Sequence, residues 1–403
     1  MDGKEGPKSE QSNSSNSPAG PMVATREFIP GENSKILQDV YDKIKNPLDC
    51  YLQTPPIADS VPTNIVILDK GDDEIQKNLV IIPNNDLKRK PKVNLGYSIR
   101  LNDIVCSLSI SNDGKYFAYS DSQTVFMMRY QDGALLSNWP IPNDFPKRES
   151  YSKVVQFSKD SKYLALSYTK GTIMVLSPES KFEPILLSGH VGQIFSFLFL
   201  LNRPILISGG NDGYLCIWNL EKMELIQTIK HRPDEIQTAK SNSHGKIVSL
   251  ASSIDESVIF VGFLDGKVGM YDSDFKNPIT IFEAHDQFLY DISMSPLTGN
   301  LATSSADKNI KIWKVDDQKP SCIHILNGHE DTVLSICHSP LQNIIFSGSK
   351  DESFKAWDDE KGELLFTAKH HQNTVFQIKH HPKDHSFLTC SGDGLVCCWQ
   401  YEI

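Results

Sequence analysis

Long hydrophobic stretches, a cysteine framework and an excess of positive charge are all missing from this 403-residue sequence. Its longest largely apolar run, Ile194–Leu201, is too short to cross a bilayer, so no membrane association is expected. Met1 to Gly20 contain no apolar core, which argues against a secretory signal there. The eight cysteines are scattered without framework spacing and read as reduced thiols of an intracellular protein. Forty basic residues face 50 acidic ones, a net charge of -10. Binding to a phosphate backbone needs clustered Lys and Arg, so no direct sequence-specific nucleic-acid binding is expected. A P-loop and a dinucleotide fingerprint are also absent. No cofactor is expected, and Gly209-Gly210-Asn211-Asp212-Gly213 reads as a turn.

What is present changes along the chain. Residues 1–32 open with a stretch rich in Ser, Asn, Pro and Gly, and a disordered tail is expected because such a segment buries too little apolar surface to offset ordering. Residues 33–92 read as a short helix followed by extended lead-in strands. Ile36, Leu37, Val40, Tyr41 and Ile44 share one helical face, and Pro47 ends it. Two β-rich runs follow, 64–68 and 78–82. Lys88-Arg89-Lys90-Pro91-Lys92 is the one basic cluster. It resembles a short nuclear localisation signal and also reads as a solvated loop between strands.

Residues 93–403 repeat. Trp218, Tyr271, Trp313, Trp357 and Trp399 are separated by 53, 42, 44 and 42 positions, the period of a propeller blade. Six residues before each aromatic is an Asp: Asp212, Asp265, Asp307, Asp351 and Asp393. A His lies 27 or 28 residues before it: His190, His244, His285, His329 and His371. Four residues after each His is an apolar residue: Ile194, Val248, Leu289, Val333 and Val375. Two degenerate copies precede these, with Met128 and Leu176 in the Trp position. The expected fold is all-β, a seven-bladed propeller. The chain runs out just after the third strand of its seventh copy, which leaves a sheet edge. Val93–Leu101 has strand composition and is expected to close the ring by completing that blade.

A hydroxyl four residues before the Asp completes a buried set in four copies: His190, Ser208, Asp212 and Trp218; His285, Thr303, Asp307 and Trp313; His329, Ser347, Asp351 and Trp357; His371, Thr389, Asp393 and Trp399. The fourth copy has Val261 for the hydroxyl and Tyr271 for Trp, so its set is incomplete. His, Ser and Asp together suggest a nucleophilic triad, but a triad occurs once and not at a fixed offset in successive repeats. No catalytic residue is assigned. His380, His381, His385, Cys390, Cys397 and Cys398 suggest zinc, yet they supply no C-x-x-C pair. Adjacent Cys397 and Cys398 on a strand would point to opposite faces, so no metal site is assigned.

These repeats resemble the WD-repeat family. Within it the chain looks most similar to the propeller of the Tup/Groucho-type fungal general corepressors. The resemblance is carried by Val105-Cys106-Ser107-Leu108 with Ser111-Asn112-Asp113-Gly114-Lys115-Tyr116, and by Gln131-Asp132-Gly133-Ala134-Leu135. Further matches are Ser347-Gly348-Ser349-Lys350-Asp351 with Phe354 and Trp357-Asp358, and the ending from Ser391-Gly392-Asp393 to Ile403. Pro55-Pro56 and Leu79–Asn84 resemble that family's lead-in segment. Helical pattern is confined here to residues 33–46, where that family carries a long tetramerising coiled coil.

The resemblance implies a nuclear, non-enzymatic scaffold whose partners are sequence-specific repressors, histone deacetylases and histones. The partner site is expected on the top face, formed by the loops before the first strands and the Asp-bearing turns. Cys106, Phe195, Leu264, Tyr290, Leu334, Lys350, Asn373 and Phe376 project there and match the family's repressor-binding positions. Phe195 and Phe376 could instead pack between blades. A subunit of a histone-methyltransferase, splicing or ubiquitin-ligase complex, or a cytoplasmic signalling scaffold, would share the fold.

Overall fold

The computed structural model describes residues 26–28, 66–69 and most of 79–403, apart from 85, 88–89, 122–123, 141–153, 170, 178–182, 231–244, 276–277 and 316–318. Residues 79–403 form a seven-bladed β-propeller. The expected helix at 33–46, His244, Lys88 and Arg89 lie outside the described residues.

Each blade is an antiparallel sheet, and in blades one to six its first four strands follow in chain order from the axis outward. The innermost strands are Ser107–Ile110, Val155–Phe157, Ile194–Phe199, Ile247–Ser252, Leu289–Met294, Val333–His338 and Val375–His380. The outer strands of blades one to six are Leu135–Pro140, Ile185–Ser188, Glu224–Lys230, Pro278–Glu283, Ser321–Leu326 and Leu364–Lys369. In blade seven Leu395–Glu402 pairs with Lys92–Arg100, from Leu395↔Arg100 to Glu402↔Lys92. The early segment thus closes the ring, as the missing fourth strand requires. The last residue of the basic run, Lys92, joins this strand, and its ammonium meets Glu402 at 3.2 Å.

Blades are sandwiched by apolar side chains because each sheet buries both faces against its neighbours. Seven buried clusters among the described residues lie at successive blade contacts, the last pairing Tyr97 and Ile99 of blade seven with Leu108 and Phe117 of blade one. Cys397 and Cys398 point into different clusters, one between blades six and seven and one between seven and one. His380 bonds the His381 carbonyl and the Tyr401 hydroxyl, while His381 bonds Gly114 O and the Asp384 N–H.

Polar bridges tie the blades together as well. Asp291 on the inner strand of blade five accepts from Ser249 Oγ of blade four at 2.8 Å and from Ser335 Oγ and Ile336 N of blade six at 3.1 and 3.0 Å. Buried Glu256 of blade four accepts from Lys159 of blade two at 2.8 Å and from Leu201 N of blade three at 2.7 Å. Burial raises the Glu256 pKa, but these donors outweigh it and hold the carboxyl below its ordinary value.

Three early strands join the outer edges of blades. Residues 33–92 were expected to lead into the propeller; two of their strands belong to its sheets. Val66–Asp69 adds a fifth strand to blade seven, and Val80–Pro83 adds one to blade six. Arg26–Phe28, inside the stretch expected to be disordered, pairs with Ile185–Leu187 of blade two. The physical reason is common to all three: a blade's outer strand leaves a row of main-chain donors and acceptors that another extended segment satisfies.

Candidate protein-binding face

Four blades carry the complete polar set. In blade three His190 Nδ1 lies 2.9 Å from Asp212, His190 Nε2 lies 2.8 Å from Ser208 Oγ, and Trp218 Nε1 donates to Ser208 Oγ at 2.8 Å. Blades five and six repeat this, with His–Asp distances of 2.7 Å, and blade seven with 3.0 Å. Trp N–H donates to the hydroxyl oxygen, and the imidazole bridges the hydroxyl through Nε2 and the carboxylate through Nδ1. Every member is satisfied, as a buried network requires. Asp212, Asp307, Asp351 and Asp393 are burdened by burial, yet their His and backbone donors hold all four below the ordinary carboxylate value. Burial also keeps His329 neutral by lowering its pKa. A carboxylate, an imidazole and a hydroxyl in series, repeated in four blades and closed by a buried Trp, fix the turn.

Asp351 also accepts from Glu330 N and Ser353 N, both at 2.9 Å. Asp351→Ala therefore strands buried donors, a loss of about 1–3 kcal/mol. The melting temperature should fall by a few degrees, with partner binding lost only in proportion. Partner binding lost at an unchanged melting temperature would make Asp351 a contact residue instead.

Blade seven departs from the pattern in one place. Where blades three and six have Gly189 and Gly328 packed under the Trp ring, it has His370, edge-on to Trp399 at 5.3 Å. Among the described residues neither His370 ring nitrogen has a hydrogen-bond partner. Burial lowers His370 to about 4, and His380 likewise to about 4. Both folded values lie below the ordinary unfolded value of about 6.5. The unfolded chain therefore binds protons that the fold excludes, and stability present above about pH 6.5 drains away as pH falls toward 4. The four Asp carboxylates extend the loss below about pH 4. Thermal melts between pH 7.5 and 4.5 should show a steadily falling midpoint; a flat profile would contradict this assignment.

The network positions a surface. In blades three to seven the inner strand carries a β-bulge one residue in, at Phe195, Val248, Tyr290, Leu334 and Phe376. A bulge leaves its extra residue unpaired and re-aims its side chain. Each bulge lies at the blade end that holds the Asp turn, where Leu264 N bonds Lys246 O and Lys350 N bonds Thr332 O. Of the eight predicted positions, Cys106, Phe195, Leu264, Tyr290, Leu334 and Phe376 are half-buried, and Lys350 and Asn373 are exposed. Phe376 also packs against the cluster between blades seven and one. Asn373 Oδ1 caps Thr374 N at 2.7 Å, and Lys350 lies 3.6 Å from Asp331.

Val248 was missed, along with Phe288 and Val191, which are 46% and 55% exposed at the same end. Val248 was misplaced because spacing grouped it with Ile194, Leu289, Val333 and Val375, all buried. Blade four is one residue shorter between His244 and Tyr271, so Ile247 is the buried equivalent and Val248 is the bulge. The 27-residue spacing was the signal.

The profile of the WD domain, G-beta repeat family matches residues 183–219, 276–314, 320–358 and 362–400. These stretches end on the Trp strands of blades three, five, six and seven, the four with complete networks. Four of the propeller's blades are thus WD repeats. Among its relatives, p21-activated protein kinase-interacting protein 1-like of Danio rerio is 23% identical over 268 residues, 66% of this chain and 68% of that protein. A guanine nucleotide-binding protein subunit beta of Arabidopsis thaliana is 26% identical, covering 54% of this chain and 58% of that one. DDB1- and CUL4-associated factor 5 of Homo sapiens is 31% identical over 142 residues, 34% of this chain and 14% of that protein. WD-repeat propellers of this kind are protein-interaction scaffolds.

Proposed function

We propose that this WD-repeat propeller is a nuclear transcriptional corepressor scaffold. DNA-bound repressors dock on its top face, and the bound propeller links them to histone deacetylases and histones. One observation carries the docking site: five successive blades present an unpaired bulge residue, each apolar or aromatic, at the same end of the ring. Such anchors, half-buried and beside charged residues such as Lys350, are the chemistry that dominates interface energy. The corepressor identity is supported by the sequence resemblance of blades one, six and seven, and nuclear residence by the basic run at 88–92. Affinity purification of the tagged full chain from nuclear extract tests it. A deacetylase and sequence-specific repressors should co-purify, and their absence from a specific, reproducible partner set would refute it.

A second reading is favoured by one observation, the 31% identity to DDB1- and CUL4-associated factor 5. On it the propeller would associate with DDB1 and CUL4. Their recovery in place of a deacetylase would decide for this reading.

A further inference from the structure

We propose that the outer edge of blade five is a docking strand for an extended segment of a partner protein. The chain itself shows how such edges are used. The outer strand of blade six has a bulge at Leu365, and Val80–Pro83 pairs with the four residues after it, Phe366 to Lys369. The outer strand of blade seven has a bulge at Gly96, and Val66–Asp69 pairs with the next four, Tyr97 to Arg100. Blade five has the same construction. Its outer strand, Ser321–Leu326, bulges at Ile323, so the equivalent docking stretch begins at His324. Among the described residues no strand pairs with it.

Chemistry distinguishes this edge from the other uncovered ones. Edge strands are normally blunted by charge or proline. Blade three has Glu224 and Lys230 on its outer strand, blade four has Pro278 and Glu283, and blade one has Pro140. Ser321-Cys322-Ile323-His324-Ile325-Leu326 has no acidic residue, Lys, Arg or Pro. Ile323 and Ile325 are 40% and 51% exposed. A short, uncharged strand that no further strand covers among the described residues, with exposed isoleucines, is a template for strand addition.

The strands that cover the two bulged outer edges, those of blades six and seven, define the occupant. Val66-Ile67-Leu68 and Val80-Ile81-Ile82 are runs of three aliphatic residues that pair antiparallel to the edge. The partner segment is accordingly an antiparallel strand with three consecutive aliphatic residues and no charge within them. Such a segment tethers its parent protein at the rim of the ring, a site separate from the top face. A second propeller is a poor occupant, because pairing over about four residues buries far less than the ~1,200 Å² of a stable interface.

The probe is the N-acetylated, C-amidated peptide of residues 78–84, added to the full-length protein. Fluorescence anisotropy reads binding, and hydrogen exchange reads which amides slow down. Saturable binding should come with protection of Cys322–Asn327. Ile325→Lys should weaken binding at least about tenfold by placing charge on the edge, with the melting temperature unchanged because Ile325 is exposed. Absence of saturable binding, or protection confined to other blades, would overturn the proposal. So would amides already protected in the free monomer, which would assign the edge to this chain's own residues. Concentration-dependent self-association abolished by Ile325→Lys would assign it to a second copy.

Discussion

A chain beginning at Asn102 will not fold into a propeller, whereas one beginning at Gln76 will melt cooperatively. The shorter chain loses Lys92–Arg100, the strand that covers Leu395–Glu402. With it go the buried side chains of Val93, Tyr97, Ile99 and Leu101. Each is worth roughly 1.5–3 kcal/mol when fully buried, and total domain stability is only about 5–15 kcal/mol. The loss also breaks the contact between blades seven and one, where Tyr97 donates to the Tyr130 carbonyl at 2.7 Å. An open ring exposes both flanking sheets, so the damage does not stay in one blade. The longer chain keeps this strand and Val80–Pro83, and loses only the fifth strands of blades two and seven. Calorimetry on both chains checks the prediction. A cooperative melt from the shorter one, near the temperature of the full chain, would show that the ring is not closed by this strand.

Blades three, five, six and seven were legible because their networks put four residue types at fixed separations. Burial enforces that spacing: His190, Ser208, Asp212 and Trp218 meet within hydrogen-bond distance only if the loops between them keep their length. Closure was legible by counting, since a strand set ending on Trp399 needs one more. Other features leave no such mark. The inner-strand bulges depend on local geometry, and any side chain can occupy them, so Val248 was placed one position out. The fifth strands pair across great sequence distances, as where Asn84 Nδ2 donates to Leu364 O, and pairing partners that remote are not written in local periodicity. Asp291 and Glu256 were passed over because each sits once in the ring, outside the repeat. His370 was passed over because its neighbour His371 already filled the repeat's His position.

The top face, with its bulge residues, is the proposed partner site. The variant Tyr290→Ala with Leu264→Ala alters that face without touching a network residue. Its matched control, Leu297→Ala with Leu341→Ala, alters exposed residues in the turns at the opposite end of blades five and six. Both should melt within a few degrees of the unmodified chain. Affinity should then be measured for the partners recovered with the tagged protein. The top-face variant should bind at least about tenfold more weakly, or roughly 1.4 kcal/mol, because buried aromatic and apolar anchors carry most of an interface's energy. The control should bind as the unmodified chain does. Intact binding by the top-face variant, with loss in the control, would contradict the account and move the partner site to the opposite face.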